Sequence, residues 1–162
     1  MRKLRIRVVL AIVAATSGVA IAAAAAPDPA PVIGTWQLNP SKSTFTPGPA
    51  PNSVTMTYAP AGQSIAIVIK TVGADRKEGT IHLTYQLDGK DYPMAGDTDA
   101  DSLSCKQVGK GNAAKCTAKK AGKALYTVRR TMSKDGKTLT LKIKGTTAKG
   151  EKFDDVEVFD KQ

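Results

Sequence analysis

The chain has 162 residues, with 24 Lys and Arg against 14 acids, a single histidine and two cysteines, for a net charge of +10 with the histidine neutral. That length holds one domain. One His and two Cys fall short of a zinc ligand set, and so few aromatic residues argue against stacking on single-stranded nucleic acid.

Residues 1–7 carry four positive charges and no negative ones, Val8 to Ala15 is apolar, and Ala20 to Ala26 is a run of small residues. This pattern predicts a secretory signal peptide over 1–24, cut at an A-x-A site after Ala24. Its apolar core is shorter than the about 20 residues that span a bilayer, so no transmembrane span is expected in the mature form. The expected localisation is periplasmic or secreted. Without the leader, 20 basic residues face 14 acids, a net +6. A flexible Pro/Ala-rich arm is expected over 25–33 and a β domain over 34–162. In an oxidising compartment the two cysteines, Cys105 and Cys116, predict a disulfide.

Gly34-Thr35-Trp36-Gln37-Leu38 opens the first strand and contains the only tryptophan. Pro40, Pro47, Pro49 and Pro51 exclude a helix from the long loop that follows. Beyond it, residues alternate with period two between turn signals about ten residues apart, the mark of an all-β barrel or sandwich. Strands are predicted at 53–58, 64–72, 80–87, 90–94, 101–108, 113–120, 124–132, 137–146 and 152–159. Residues opposite one another in an antiparallel pair share a face. Pairing Tyr58 with Ile65, Ile69 with Ile81, Cys105 with Cys116 and Met132 with Leu139 therefore gathers the apolar residues on one face. His82, Lys106, Lys115, Arg129 and Lys142 fall on the other. In the last strand Val156 and Val158 compete with Phe153 and Phe159 for the inner face. Arg130 shares the inward phase of Tyr126, Val128 and Met132.

Gly34 and Trp36 form a G-x-W motif, which resembles the start of the first strand in lipocalins and the related fatty-acid-binding (calycin) barrels. The resemblance covers that motif, the long first loop and the strand meander. It implies an antiparallel up-and-down barrel of about eight to ten strands, with Trp36 closing one end beneath an arginine. Arg130 is the candidate, through a cation–π contact of about 0.5–2 kcal/mol. The alternative role of Arg130 is to anchor a ligand carboxylate. The other end would be an open mouth, with the proline-rich loop as its lid. Met56, Ile69, Ile81, Tyr126 and Ile143 would line a site for a small hydrophobic or amphipathic molecule.

No catalytic residues, metal ligands or cofactor motif are assigned: His82 stands alone on an outward face, and Asp154 and Asp155 point to opposite faces of one strand. Asp97, Asp99 and Asp101 follow a D-x-D-x-D pattern, but Ser102 and Val108 occupy the positions where a calcium loop needs Gly and Glu, so a solvated turn is expected. Residues 103–152 hold 14 Lys and Arg against Asp135 and Glu151. Such a surface suits solubility or an anionic envelope component, and not nucleic acid. The expected protein is a monomeric, non-enzymatic carrier. The alternative is a protein-interaction barrel of the cell envelope, such as a protease inhibitor acting through its N-terminal arm or its basic outer surface.

Overall fold

The computed structural model describes residues 30–109 and 111–162. The signal peptide predicted over 1–24, and the arm as far as residue 29, lie outside them. Ten strands follow in order: β1 (Gly34–Leu38), β2 (Ser53–Ala61), β3 (Ser64–Val72), β4 (Glu78–Tyr85), β5 (Asp88–Ala95), β6 (Ser102–Val108), β7 (Ala113–Lys120), β8 (Lys123–Met132), β9 (Thr138–Thr146) and β10 (Lys152–Lys161). Each pairs antiparallel with the next, and β1 pairs with β10, so the sheet closes into an up-and-down barrel with no free edge.

Alternation explains the inner face. In β2, Val54, Met56 and Tyr58 are buried between less buried Thr55 and Thr57. The largest fully buried side chains are Trp36, Phe159, Met56, Ile65, Leu139 and Cys105. Three predicted registers are observed: Ile69 opposite Ile81, Cys105 opposite Cys116, and Met132 opposite Leu139. The β2–β3 register differs by two, with Tyr58 opposite Ile67 and not Ile65. The strand runs on through Pro60 to Ala61 and turns over Gly62 and Gln63 alone, with Gly62 at φ +62. A shift of two leaves every side chain on its expected face.

In β10 the aromatic phase takes the inside. Phe159 is fully buried, and Phe153 packs edge-on to Tyr126 with ring centres 5.5 Å apart. Val156 and Val158 face outward. Along this strand the first loop continues the edge of β1: the Asn39 N–H donates to the Val158 carbonyl (2.7 Å), and Thr44 exchanges two backbone bonds with Val156 (both 2.8 Å).

The end holding Trp36 is closed. The indole Nε1 donates to the Val32 carbonyl at 2.9 Å, from a 3-10 turn at Ala30–Val32 in which Val32 is buried. Residues 30–33 of the expected flexible arm are thus tied to the barrel. The cation over the indole is not Arg130, as the resemblance implied, but Lys161, whose Nζ lies 5.2 Å from the ring centre. Lys161 is the cross-strand partner of Trp36, whereas Arg130 stands over the ring of Tyr58.

Cys105 and Cys116 form the disulfide across β6 and β7, 11 residues apart in sequence. Closing so short a loop contributes about 3 kcal/mol at most. Replacing both cysteines by alanine is expected to lower unfolding free energy by about 2–3 kcal/mol in urea titration, while far-ultraviolet circular dichroism stays that of the barrel.

Candidate functional site: the barrel interior

Between the plug at Trp36 and the loops at the other end lies a cavity of about 400 Å³, within the range of small-molecule sites. Its wall is mostly apolar. Met56, Ile69, Ile81, Tyr126 and Ile143, the five residues singled out from the sequence, all line it, as does Arg130. Gly34 and Trp36 belong to the closed end instead. Phe45 and Pro51 bring the first loop against the cavity at the mouth.

Polar groups stand at three depths. Deepest is Arg130, only 8% exposed, whose Nη1 donates to the Tyr85 hydroxyl oxygen at 2.9 Å. Its guanidinium carbon is 5.6 Å from the centre of the Tyr58 ring. Among the described residues no carboxylate forms an ion pair with it. Burial foremost, and Tyr85 second, push the Tyr58 hydroxyl well above its ordinary range, against the lowering effect of Arg130. Arg130, Tyr58 and Tyr85 come from β8, β2 and β4, so barrel closure alone assembles them.

Along the wall, the aromatic phase of β10 turns Asp155 and Glu157 inward as well. Burial, and then the neighbouring Asp155, push Glu157 up to about 7 from an ordinary 4.5. Asp155 is also raised, by burial, although its Oδ1 accepts a bond from the Thr46 N–H at 2.7 Å.

Near the mouth, the Tyr126 hydroxyl donates to Oδ2 of Asp97 at 3.0 Å. Burial, followed by Asp97, raises that hydroxyl strongly. Gly145 lies opposite both Tyr126 and Phe153, and a Cβ on it would collide with the Tyr126 Cα and the Leu125 carbonyl oxygen. Only glycine lets the two rings meet there. Asp97, Asp99 and Asp101 do not converge: they accept bonds from the backbone N–H groups of Asp99 and Ala100, of Ala148, and of Ala121 respectively.

Tyr58, Tyr85, Asp97, Asp155 and Glu157 also line the cavity, beyond the residues singled out from the sequence. Tyr58 and Tyr85 carried a signal, since both sit in the inward phase. For Asp155 and Glu157 the signal was the phase of Phe153 and Phe159.

Outside the barrel, Lys106, Lys115, Arg129 and Lys142 stand directly opposite one another on β6, β7, β8 and β9. All four are exposed. Lys119 and Lys144, by contrast, pair with Asp91 and Asp154, both at 2.6 Å.

No protein-family model matches the chain, and no curated protein matches it. Fold and interior therefore define a class by themselves: a closed ten-stranded antiparallel up-and-down barrel with an internal cavity, an architecture consistent with calycin-like barrels.

Proposed function

We propose that the barrel is a secreted or periplasmic, lipocalin-like carrier and not an enzyme, holding one small hydrophobic or amphipathic molecule in its cavity. The observation that carries this reading is an apolar space of about 400 Å³ with, at its inner end, a buried guanidinium that no carboxylate neutralises among the described residues. Apolar walls supply affinity through area removed from water, and Arg130 offers a charge-assisted anchor for an acidic head group. The Cys105–Cys116 bond supports a compartment outside the reducing cytosol. Among the described residues no helix is long and apolar enough to cross a membrane.

Native mass spectrometry of the protein purified from its source tests this. The expected result is a stoichiometric adduct of lipid size, released by organic solvent and lost in folded Ile69→Asp or Ile81→Asp variants. A clean apo mass, with no uptake of fluorescent fatty acids, would overturn it.

One observation favours a second reading, contact with an anionic envelope component. Like charges directly opposite in a sheet are destabilising, and four such cations in register on the outer face would be relieved by a bound polyanion. Retention on anionic vesicles or polysaccharide should then fall steeply between low and physiological salt. It should also fall in Lys115→Gln/Arg129→Gln. Salt-independent retention would count against this contact.

A further inference from the structure

Three carboxyl groups line the cavity; Asp97 accepts the Tyr126 hydroxyl, and the other two, Asp155 and Glu157, are unexplained by a ligand that is merely greasy or acidic. β10 offers the interior either its valines or its aromatics, and the aromatic phase brings Asp155 and Glu157 in while Val156 and Val158 go out. The Glu157 carboxyl has no hydrogen-bond donor or ion-pair partner among the described residues. Glu157 is half-buried against the cavity, and a carboxylate drawn partly out of water without a partner costs free energy. Arg130, the buried cation, does not offset that cost. Register places the two residues on either side of Leu141, with their Cα atoms two strand spacings or about 10 Å apart, and Nη1 of Arg130 donates to the Tyr85 hydroxyl rather than to Glu157. Asp155 lies on the same face of β10 about 7 Å further toward the mouth, and only its Oδ1 accepts a bond. Between and around the two acids the wall is apolar, with Leu141 and Ile143 beside them on β9.

Building on the carrier reading above, we propose that Glu157 and Asp155 form a subsite for a protonated amine, so that the cavity's ligand is an aliphatic molecule bearing an ammonium group. An ammonium supplies three donors and a compact charge, which can satisfy both carboxyls at once. Its alkyl chain takes the surrounding isoleucines and leucine. A ligand that also bears an acid reaches Arg130 across the cavity with its other end.

The test compares decylamine, decanol and decanoate by titration calorimetry on the mature protein, near neutral pH and at fixed ionic strength. Wild type is expected to bind decylamine at least tenfold more tightly than decanol. Glu157→Gln is expected to remove most of that preference, and Glu157→Gln/Asp155→Asn all of it, while decanol binding stays within about twofold and reports that the cavity is intact. Decylamine binding should also release protons, seen as a heat that changes with the ionisation enthalpy of the buffer. Decanol or decanoate uptake without a preference for the amine sinks the subsite and leaves the carrier reading standing. A preference that survives both substitutions also overturns the assignment to these carboxyls. Binding of none of the three removes the carrier reading, and the subsite with it.

Discussion

Glu157→Gln is expected to make the apo protein more stable at about pH 8, by about 3 kcal/mol at most, and to change nothing below about pH 4. Native Glu157 titrates at about 7, against 4.5 for an unperturbed glutamate. Between those values the unfolded chain has lost the proton that the native chain retains, so stability falls as pH rises. The loss is complete above about pH 7, where the native carboxylate must ionise inside the cavity. The titratable groups around it are Asp155 on β10, which adds to the rise, and Tyr126 on β8, whose hydroxyl Glu157 helps to raise and which donates to Asp97; Arg130, Tyr58 and Tyr85 share the same cavity wall. The surface aspartates Asp75, Asp88, Asp101, Asp135 and the half-buried Asp160, each held low by hydrogen bonds, act with opposite sign and only in acid. Their stabilisation is present above the ordinary carboxylate range and disappears as pH falls through their lowered values. Urea midpoints measured from about pH 4 to 8 should therefore slope downward in wild type and clearly less in Glu157→Gln, where the raised Asp155 still contributes a smaller slope. Parallel slopes would show that Glu157 ionises as freely in the native barrel as in the unfolded chain.

The strands were legible because alternation and turn residues are local signals, and the two cysteines fixed β6 against β7. The β2–β3 register slipped because Pro60 reads as a break. In the structure it is paired opposite Ile65, and the turn needs only Gly62 and Gln63. Strand β10 was ambiguous for an energetic reason. Its sequence, Phe153-Asp154-Asp155-Val156-Glu157-Val158-Phe159, places apolar residues on both faces. Two phenylalanines remove more apolar area from water than two valines, so the aromatic phase goes inside and takes Asp155 and Glu157 with it. The first loop then covers the valines with backbone bonds to the same strand. Parity was enough to turn Arg130 inward. Which aromatic it meets depends on the stagger with which the sheet closes, a property of all ten strands together. Lys161 reaches the indole because β10 extends two residues past Phe159, to the position opposite Trp36.

Trp36→Ala is expected to cost about 3–5 kcal/mol and to lower the thermal midpoint by about 10 °C or more, the largest effect of any single substitution on the barrel wall. Trp36 has no exposed surface, and its removal leaves a void at the closed end that the buried Val32, Leu38 and Phe159 cannot fill from their fixed backbone positions. The Val32 carbonyl also loses its indole donor, so the 3-10 turn at Ala30–Val32 loses the side-chain bond that ties it down. Trp36→Phe separates these contributions: it keeps most of the apolar volume but removes the hydrogen bond, and should cost about 1–2 kcal/mol. Lys161→Ala should cost less than about 1 kcal/mol, since an exposed lysine over an aromatic ring contributes little. The order Trp36→Ala, then Trp36→Phe, then Lys161→Ala in urea midpoints follows if the indole closes the barrel by volume first, by its hydrogen bond second and by its cation last. A Lys161→Ala variant as unstable as Trp36→Ala would reverse that ranking and make the charge, not the volume, the element that seals this end.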